Sequence, residues 1–213
     1  MTIEQHDEPT IYEKYLGVLA QPRTYTNLVY LAMSFPLGLA YFILLVVGFS
    51  LGVSLLIIWV GIPILVAMLL LSYGITTFER QMAISMLGVS ISAQSQGEPV
   101  SGLWDRFKGL LRNPITWKGI LYQFIKFPMG IASFVMLVTL ILIPLALMAA
   151  PFLVGVPDVY LLRIGSASLI NNMNTALFAA FIGFVLLVGS LHALNGMAWA
   201  HGQLAKVLLG QGE

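Results

Sequence analysis

The sequence predicts an all-α membrane protein, with four transmembrane helices as two parallel-repeat helical hairpins and amphipathic helices on the cytoplasmic side. Three observations carry this. Of 213 residues, 59% are hydrophobic and only 9% charged, a composition foreign to water-soluble domains. No Asp, Glu, Lys or Arg occurs in 24–78, 127–157 or 164–205. A shift of 92 residues superimposes 11–42 on 103–134 without a gap.

A helix rises about 1.5 Å per residue and must cross about 30 Å of hydrocarbon, so roughly 20 apolar residues make one span. The first charge-free run holds two spans, near 27–48 and 53–77, with a reversal expected at Gly48 and Gly52. The later runs add spans near 121–148 and 173–198. Residues 1–9 include Glu4, Asp7 and Glu8 where a signal peptide needs basic and then apolar residues, so the first span is expected to stay in the mature protein. With no cysteine in the chain, disulfides, thiolate metal sites and thiol chemistry are excluded.

Basic residues near spans are retained on the cytoplasmic side. Lys14, Arg23, Arg80, Arg106, Lys108, Arg112, Lys118, Lys126 and Lys206 fall on one side of this topology and only Arg163 on the other. Both termini and the 79–120 linker are therefore expected on the cytoplasmic side of a cell (inner or cytoplasmic) membrane. The net charge of +1 gives no reason for a nucleic-acid partner.

The repeat is specific because it aligns charge, proline and glycine together. Tyr12, Glu13, Lys14, Tyr15 and Gly17 meet Trp104, Asp105, Arg106, Phe107 and Gly109. Pro22, Thr24, Tyr25, Tyr30, Phe35, Pro36, Gly38 and Phe42 meet Pro114, Thr116, Trp117, Tyr122, Phe127, Pro128, Gly130 and Phe134. The back of the unit matches at a shift of 122, Gln81, Ala83, Leu87 and Gly88 meeting Gln203, Ala205, Leu209 and Gly210. These matches divide the chain into a first repeat (1–89), a polar linker (90–102) and a second repeat (103–213). Two spans per copy make the repeat parallel, with a pseudo-twofold axis along the membrane normal.

Each copy opens on a short amphipathic helix. In the second, Leu103, Phe107, Leu110 and Leu111 keep helical spacing while Arg106, Lys108 and Arg112 occupy other positions. Trp104 and Trp117 are the residue type that settles at headgroup depth, so Trp104, Arg106, Lys108, Arg112 and Trp117 are candidate lipid-interface residues. A helix packed against a soluble partner is the alternative.

Phe-Pro-x-Gly, at 35–38 and 127–130, marks Pro36, Gly38, Pro128 and Gly130 as candidate hinges. A static bend that permits close packing is the preferred reading of them, because kinking prolines are common in membrane helices. His192 and Asn195 are candidate intramembrane polar contacts, sharing a face with Trp199, and His201 lies further along. Interhelical packing accounts for them better than a ligand or metal, since small pairs Ala179/Gly183, Gly189/Ala193 and Gly196/Ala200 line the same span. Glu79 and Arg80 read as a boundary pair where the second span meets water, with an ion pair to the amphipathic helix as the alternative, and the spans are expected to hold no acidic residue. Segment 150–175 reads as the one sizeable non-cytoplasmic piece. No Walker loop, GxSxG, HExxH or membrane-embedded carboxylate pair is present, and neither catalysis nor a cofactor is expected.

Tyr30 with Phe35-Pro36-Leu37-Gly38, Gly48 and Gly52, Gly61 with Pro63, the Glu79-Arg80 exit leading to Leu87-Gly88, and Pro114-x-Thr116-Trp117 follow one another in an order that resembles a known family. It is the Putative sensor domain found at the amino terminus of some bacterial and archaeal membrane histidine kinases, and sometimes alone. The resemblance implies a signal-input role. The sequence carries no phosphoacceptor or ATP-binding segment after the last helical extension, so output is expected to pass through a separate protein partner in the membrane or cytoplasm. The reading is a non-enzymatic sensory or regulatory membrane protein, with an accessory or scaffold subunit of a larger membrane complex as the alternative. A small transporter is a third possibility.

Overall fold

In hydrocarbon no water is available to backbone donors and acceptors, so a spanning segment satisfies them internally as helix. The computed structural model follows this rule; it describes residues 11–91, 108–109, 111–156, 163–164, 167–168 and 170–210. Helices α1 (Ile11–Ala20) and α2 (Pro22–Ser54) lead into a 3₁₀ turn (Leu55–Ile58), followed by α3 (Gly61–Leu87), α4 (Pro114–Met148), the short α5 (Ala150–Leu153) and α6 (Met173–Leu209). Residues 163–164 pair antiparallel with 167–168. Four helices, Pro22–Ile58, Gly61–Leu87, Pro114–Met148 and Met173–Leu209, are long and apolar enough to cross a membrane.

Local chemistry sets the helix ends. Pro22 and Pro114 open α2 and α4, where a missing N–H is not needed. Asn172 caps α6: its Oδ1 accepts the Thr175 N–H at 2.9 Å, and Thr175 Oγ1 accepts the Asn172 N–H at 3.3 Å. Such a reciprocal cap contributes about 1 kcal/mol. Gly88 ends α3 in the left-handed region (φ 61°), its N–H reaching the Ile84 carbonyl at 3.1 Å. Gly210 reaches Lys206 at the same distance after α6.

The first reversal lies later than the sequence indicates. Gly48 and Gly52 remain inside α2, and the chain turns through 55–60, with Trp59 in the left-handed region at φ 64°. Their lack of a side chain serves contact instead. A Cβ on Gly48 would collide with the Met68 side chain, and one on Gly52 would meet Leu65. Helix association in lipid depends on such close approach rather than on hydrophobicity, because lipid tails are as apolar as leucine.

The chain forms two compact units, and α2, α4 and α6 each run through both. The first contains 11–25 and 136–195. There Ala150, Ala176 and Ala179 pack under Leu147, Val154 and Ile170, and Gly183 faces the Pro144 carbonyl so closely that a Cβ would stand 2.7 Å from it.

The second unit, 26–135 with 196–210, contains segments of all four long helices. Leu45, Met68, Leu69 and Ile120 form one apolar cluster in it. Where α2 meets α4, a Cβ on Gly38 would lie 2.7 Å from the Lys126 carbonyl, and one on Gly130 would lie 2.5 Å from that of Ser34. Phe35 stacks on Phe134 at 5.0 Å between centroids, and Phe42 on Phe127 at 4.5 Å. Displacing either member of each pair of contacts by 92 residues gives the other.

Polarity is inverted relative to a soluble protein. Ile43, Val47, Leu142, Ile143, Phe178 and Phe181 are exposed, while Ser34, Ser72, Thr76, Gln123, Lys126 and His201 are buried. So much exposed apolar surface on each unit suits lipid and not water.

Candidate functional site: a buried ionic and tyrosine network

Glu79 sits within α3, 18 residues beyond Gly61, and is fully buried. A carboxylate there must be answered by the protein, because an unpaired charge out of water is very costly. Lys126, itself 1% exposed, supplies the charge: its Nζ pairs with Glu79 Oε2. Tyr122 donates to the same oxygen at 3.1 Å, and Tyr41 donates to Oε1 at 2.9 Å. Lys126 Nζ also donates to the Tyr30 hydroxyl at 3.1 Å, and the Tyr30 and Tyr122 hydroxyls stand 3.5 Å apart.

Helical phase explains the convergence. On α4, Gly119, Tyr122, Gln123 and Lys126 recur at three- and four-residue spacing and are all buried. On α3, Ser72, Thr76 and Glu79 do the same. Gly119 lets α4 approach α3 until a Cβ would strike Thr76. Gln123 Nε2 then donates to the Ser72 carbonyl at 2.9 Å and to Thr76 Oγ1 at 3.2 Å. Lysine's four-carbon stem carries the ammonium along apolar surface to the carboxylate.

A weaker counterpart lies beside this network. His201 Nε2 and Ser133 Oγ are 2.6 Å apart, both side chains are buried, and the His201 ring meets the Tyr30 ring edge-on at 5.7 Å. Shifting Tyr41 by 92 gives Ser133, and shifting Glu79 by 122 gives His201. Lys126 likewise corresponds to Ser34, so the ionic residues stand where the two copies of the sequence differ.

The boundary reading of Glu79 is therefore corrected. It does not mark an exit into water, and one span does hold an acidic residue. The reason is that α3 continues to Leu87, which leaves Glu79 facing α2 and α4. Arg80 is half-buried, and its Nη2 donates to the Ile91 carbonyl at 2.9 Å.

The other sequence-selected residues fall as follows. Pro36 and Pro128 lie within continuous helices, and Gly38 and Gly130 form the α2–α4 contact. His192 and Asn195 belong to the first unit: His192 Nε2 lies 3.3 Å from the Tyr15 carbonyl with the rings 5.6 Å apart, and Asn195 donates to Thr24 Oγ1 at 3.1 Å. They tie α6 to α1 and the first turn of α2. Trp117 is half exposed and donates through Nε1 to the Leu111 carbonyl at 3.0 Å. Tyr25, its counterpart 92 residues earlier, donates to the Leu19 carbonyl at 2.8 Å. Lys108 and Arg112 are exposed. Trp104 and Arg106 lie outside the described residues, as do 92–107 of the linker and second amphipathic helix and the 157–162 part of the 150–175 segment.

Apolar helices with a polar interior define an all-helical, multi-pass membrane protein. Among the described residues no cluster of His, Asp and Glu is placed to hold a metal ion. A family model described as Putative sensor matches residues 4–209, and the chain belongs to that family. Comparisons with curated proteins and with solved structures return no match.

Proposed function

We propose that the protein is a non-enzymatic sensory or regulatory membrane subunit, in which the bundle receives a membrane or ligand signal and passes it to a separate protein partner in the membrane or cytoplasm. The observation that carries this is the adjacency of the buried network to the exit of α3. Glu79 belongs to the network, and the next residue, Arg80, holds the Ile91 carbonyl. His201 lies at the counterpart position, and the next residue, Gly202, forms a notch in which a Cβ would stand 2.9 Å from Val89 Cγ1. A small shift of α3 or α6 at the network thus displaces 88–91, where the linker begins.

A closed ionic network suits a switch better than a binding pocket. Both carboxylate oxygens and the ammonium already have partners, so a different helix arrangement must break several bonds together. The same closure argues against an ion path through Glu79. The repeat bears on the architecture: the paired contacts of Gly38 and Gly130, of Phe35 and Phe42, and of Tyr30 with Tyr122 support a reading as two hairpins about a pseudo-twofold axis. Arg80 and Lys206 lie toward the C-terminal ends of α3 and α6, and Arg23 and Lys118 toward the starts of α2 and α4, which supports cytoplasmic termini.

One feature favours the scaffold reading. Gly189 and Gly196 on α6 are exposed with open space where a Cβ would go, a surface suited to another helix. A Ser90→Cys variant of this cysteine-free chain separates the readings. A membrane-impermeant maleimide is expected to label it only in permeabilised cells, and its mass in mild detergent is expected to exclude a stoichiometric complex. Labelling of intact cells contradicts the orientation, and a fixed co-purifying complex favours the scaffold.

A further inference from the structure

Arg80 carries a charge that no carboxylate among the described residues answers. Among the described residues with resolved side-chain surroundings, Glu79 is the sole carboxylate, and it is committed to Lys126, Tyr122 and Tyr41. One guanidinium nitrogen, Nη2, is used on the Ile91 carbonyl; Nε is enclosed by the protein and has no partner, so an outside anion meets the guanidinium at its Nη edge. A planar guanidinium with donors to spare is suited to an oxyanion, above all a phosphate.

Its depth indicates where that phosphate comes from. Trp59, 78% exposed at the turn before α3, marks one membrane boundary by its residue type. Arg80 lies 19 residues beyond Gly61, which is about 28 Å of helix and close to the thickness of the hydrocarbon. Trp117, half exposed and tied to Leu111, marks the opposite boundary. At that depth the phosphates of lipid headgroups are the densest anions. Among the described residues of this unit, the charged side chains that are not buried, Arg80, Lys108, Arg112, Lys118 and Lys206, are all cationic, which favours a lipid with net negative charge.

We infer that Arg80 binds the headgroup phosphate of an anionic phospholipid on the leaflet where α3 ends. The bound phosphate and the Ile91 carbonyl share one guanidinium, so lipid occupancy is felt by 88–91. Val89 in the Gly202 notch and Ile91 beside Gly210 carry that constraint to the end of α6. The inference deepens the sensory reading by naming its input, but lipid binding at Arg80 stands or falls independently of any output.

The test uses the full chain in nanodiscs of phosphatidylcholine with increasing phosphatidylglycerol, released gently for native mass spectrometry. The wild type is expected to retain phosphatidylglycerol over phosphatidylcholine, and Arg80→Gln to weaken that retention about tenfold or more. Lys118→Gln removes the same charge and is expected to have a much smaller effect. Millimolar inorganic phosphate is expected not to compete. Equal retention of both lipids by the wild type overturns the proposal even if Arg80→Gln fails to fold. Equal loss in Lys118→Gln, or displacement by free phosphate, overturns it as well, the first indicating diffuse attraction and the second a soluble anion.

Discussion

Lys126→Met alone is expected to lower the unfolding free energy by about 3–5 kcal/mol, because it leaves the Glu79 carboxylate buried without a cation. Two tyrosine donors remain, and they do not neutralise it. Adding Glu79→Gln removes the charge but keeps an acceptor for Tyr41 and Tyr122. The double variant is therefore expected to recover most of the loss, since exchanging a whole buried pair for uncharged residues is often nearly neutral. Denaturant titration of helicity in mixed micelles measures both. A double variant that loses the sum of the two single effects would show that the residues act separately.

The second large effect concerns the helix contact. Gly38→Ala and Gly130→Ala each place a methyl group within 2.7 Å or less of a backbone carbonyl on the facing helix. Unlike a side chain, that carbonyl cannot change rotamer, so the helices must separate. Overpacking of this kind costs about 1–3 kcal/mol, and leucine at either position costs more. The two alanine variants are expected to match, because the contacts correspond across the repeat. Gly189→Ala is the control: its site is open, so the change is neutral or slightly favourable through helix propensity. Equal losses at all three positions in the same titration would mean that glycine matters here for flexibility and not for contact.

Much of this arrangement is legible in the sequence. The charge-free runs give the four helices, and the 92-residue shift pairs Tyr30 with Tyr122 and Gly38 with Gly130. The ionic network is less legible for a physical reason. Hydropathy treats Glu79 and Lys126 as boundary residues, and only the length of a lysine stem, with the phase of Tyr122 and Gly119, brings them together inside. A signal was nevertheless present. Lys126 and Glu79 occupy positions where the other copy has Ser34 and His201, and a departure from a repeat inside an apolar helix marks a specialised contact. The turn at 55–60 was hidden similarly, since glycine marks reversals and close helix contacts alike.

The link from network to exit segment is tested most directly by a distance. Spin labels on Thr77→Cys and Ser90→Cys, both exposed, bracket the end of α3 and the segment held by Arg80. Electron–electron resonance is expected to give one narrow distance distribution in the parent chain. The charge-free Glu79→Gln/Lys126→Met background is expected to shift or broaden it while helicity is retained. An unchanged distribution in that background would contradict the account, leaving the buried pair as a brace with no influence on the linker.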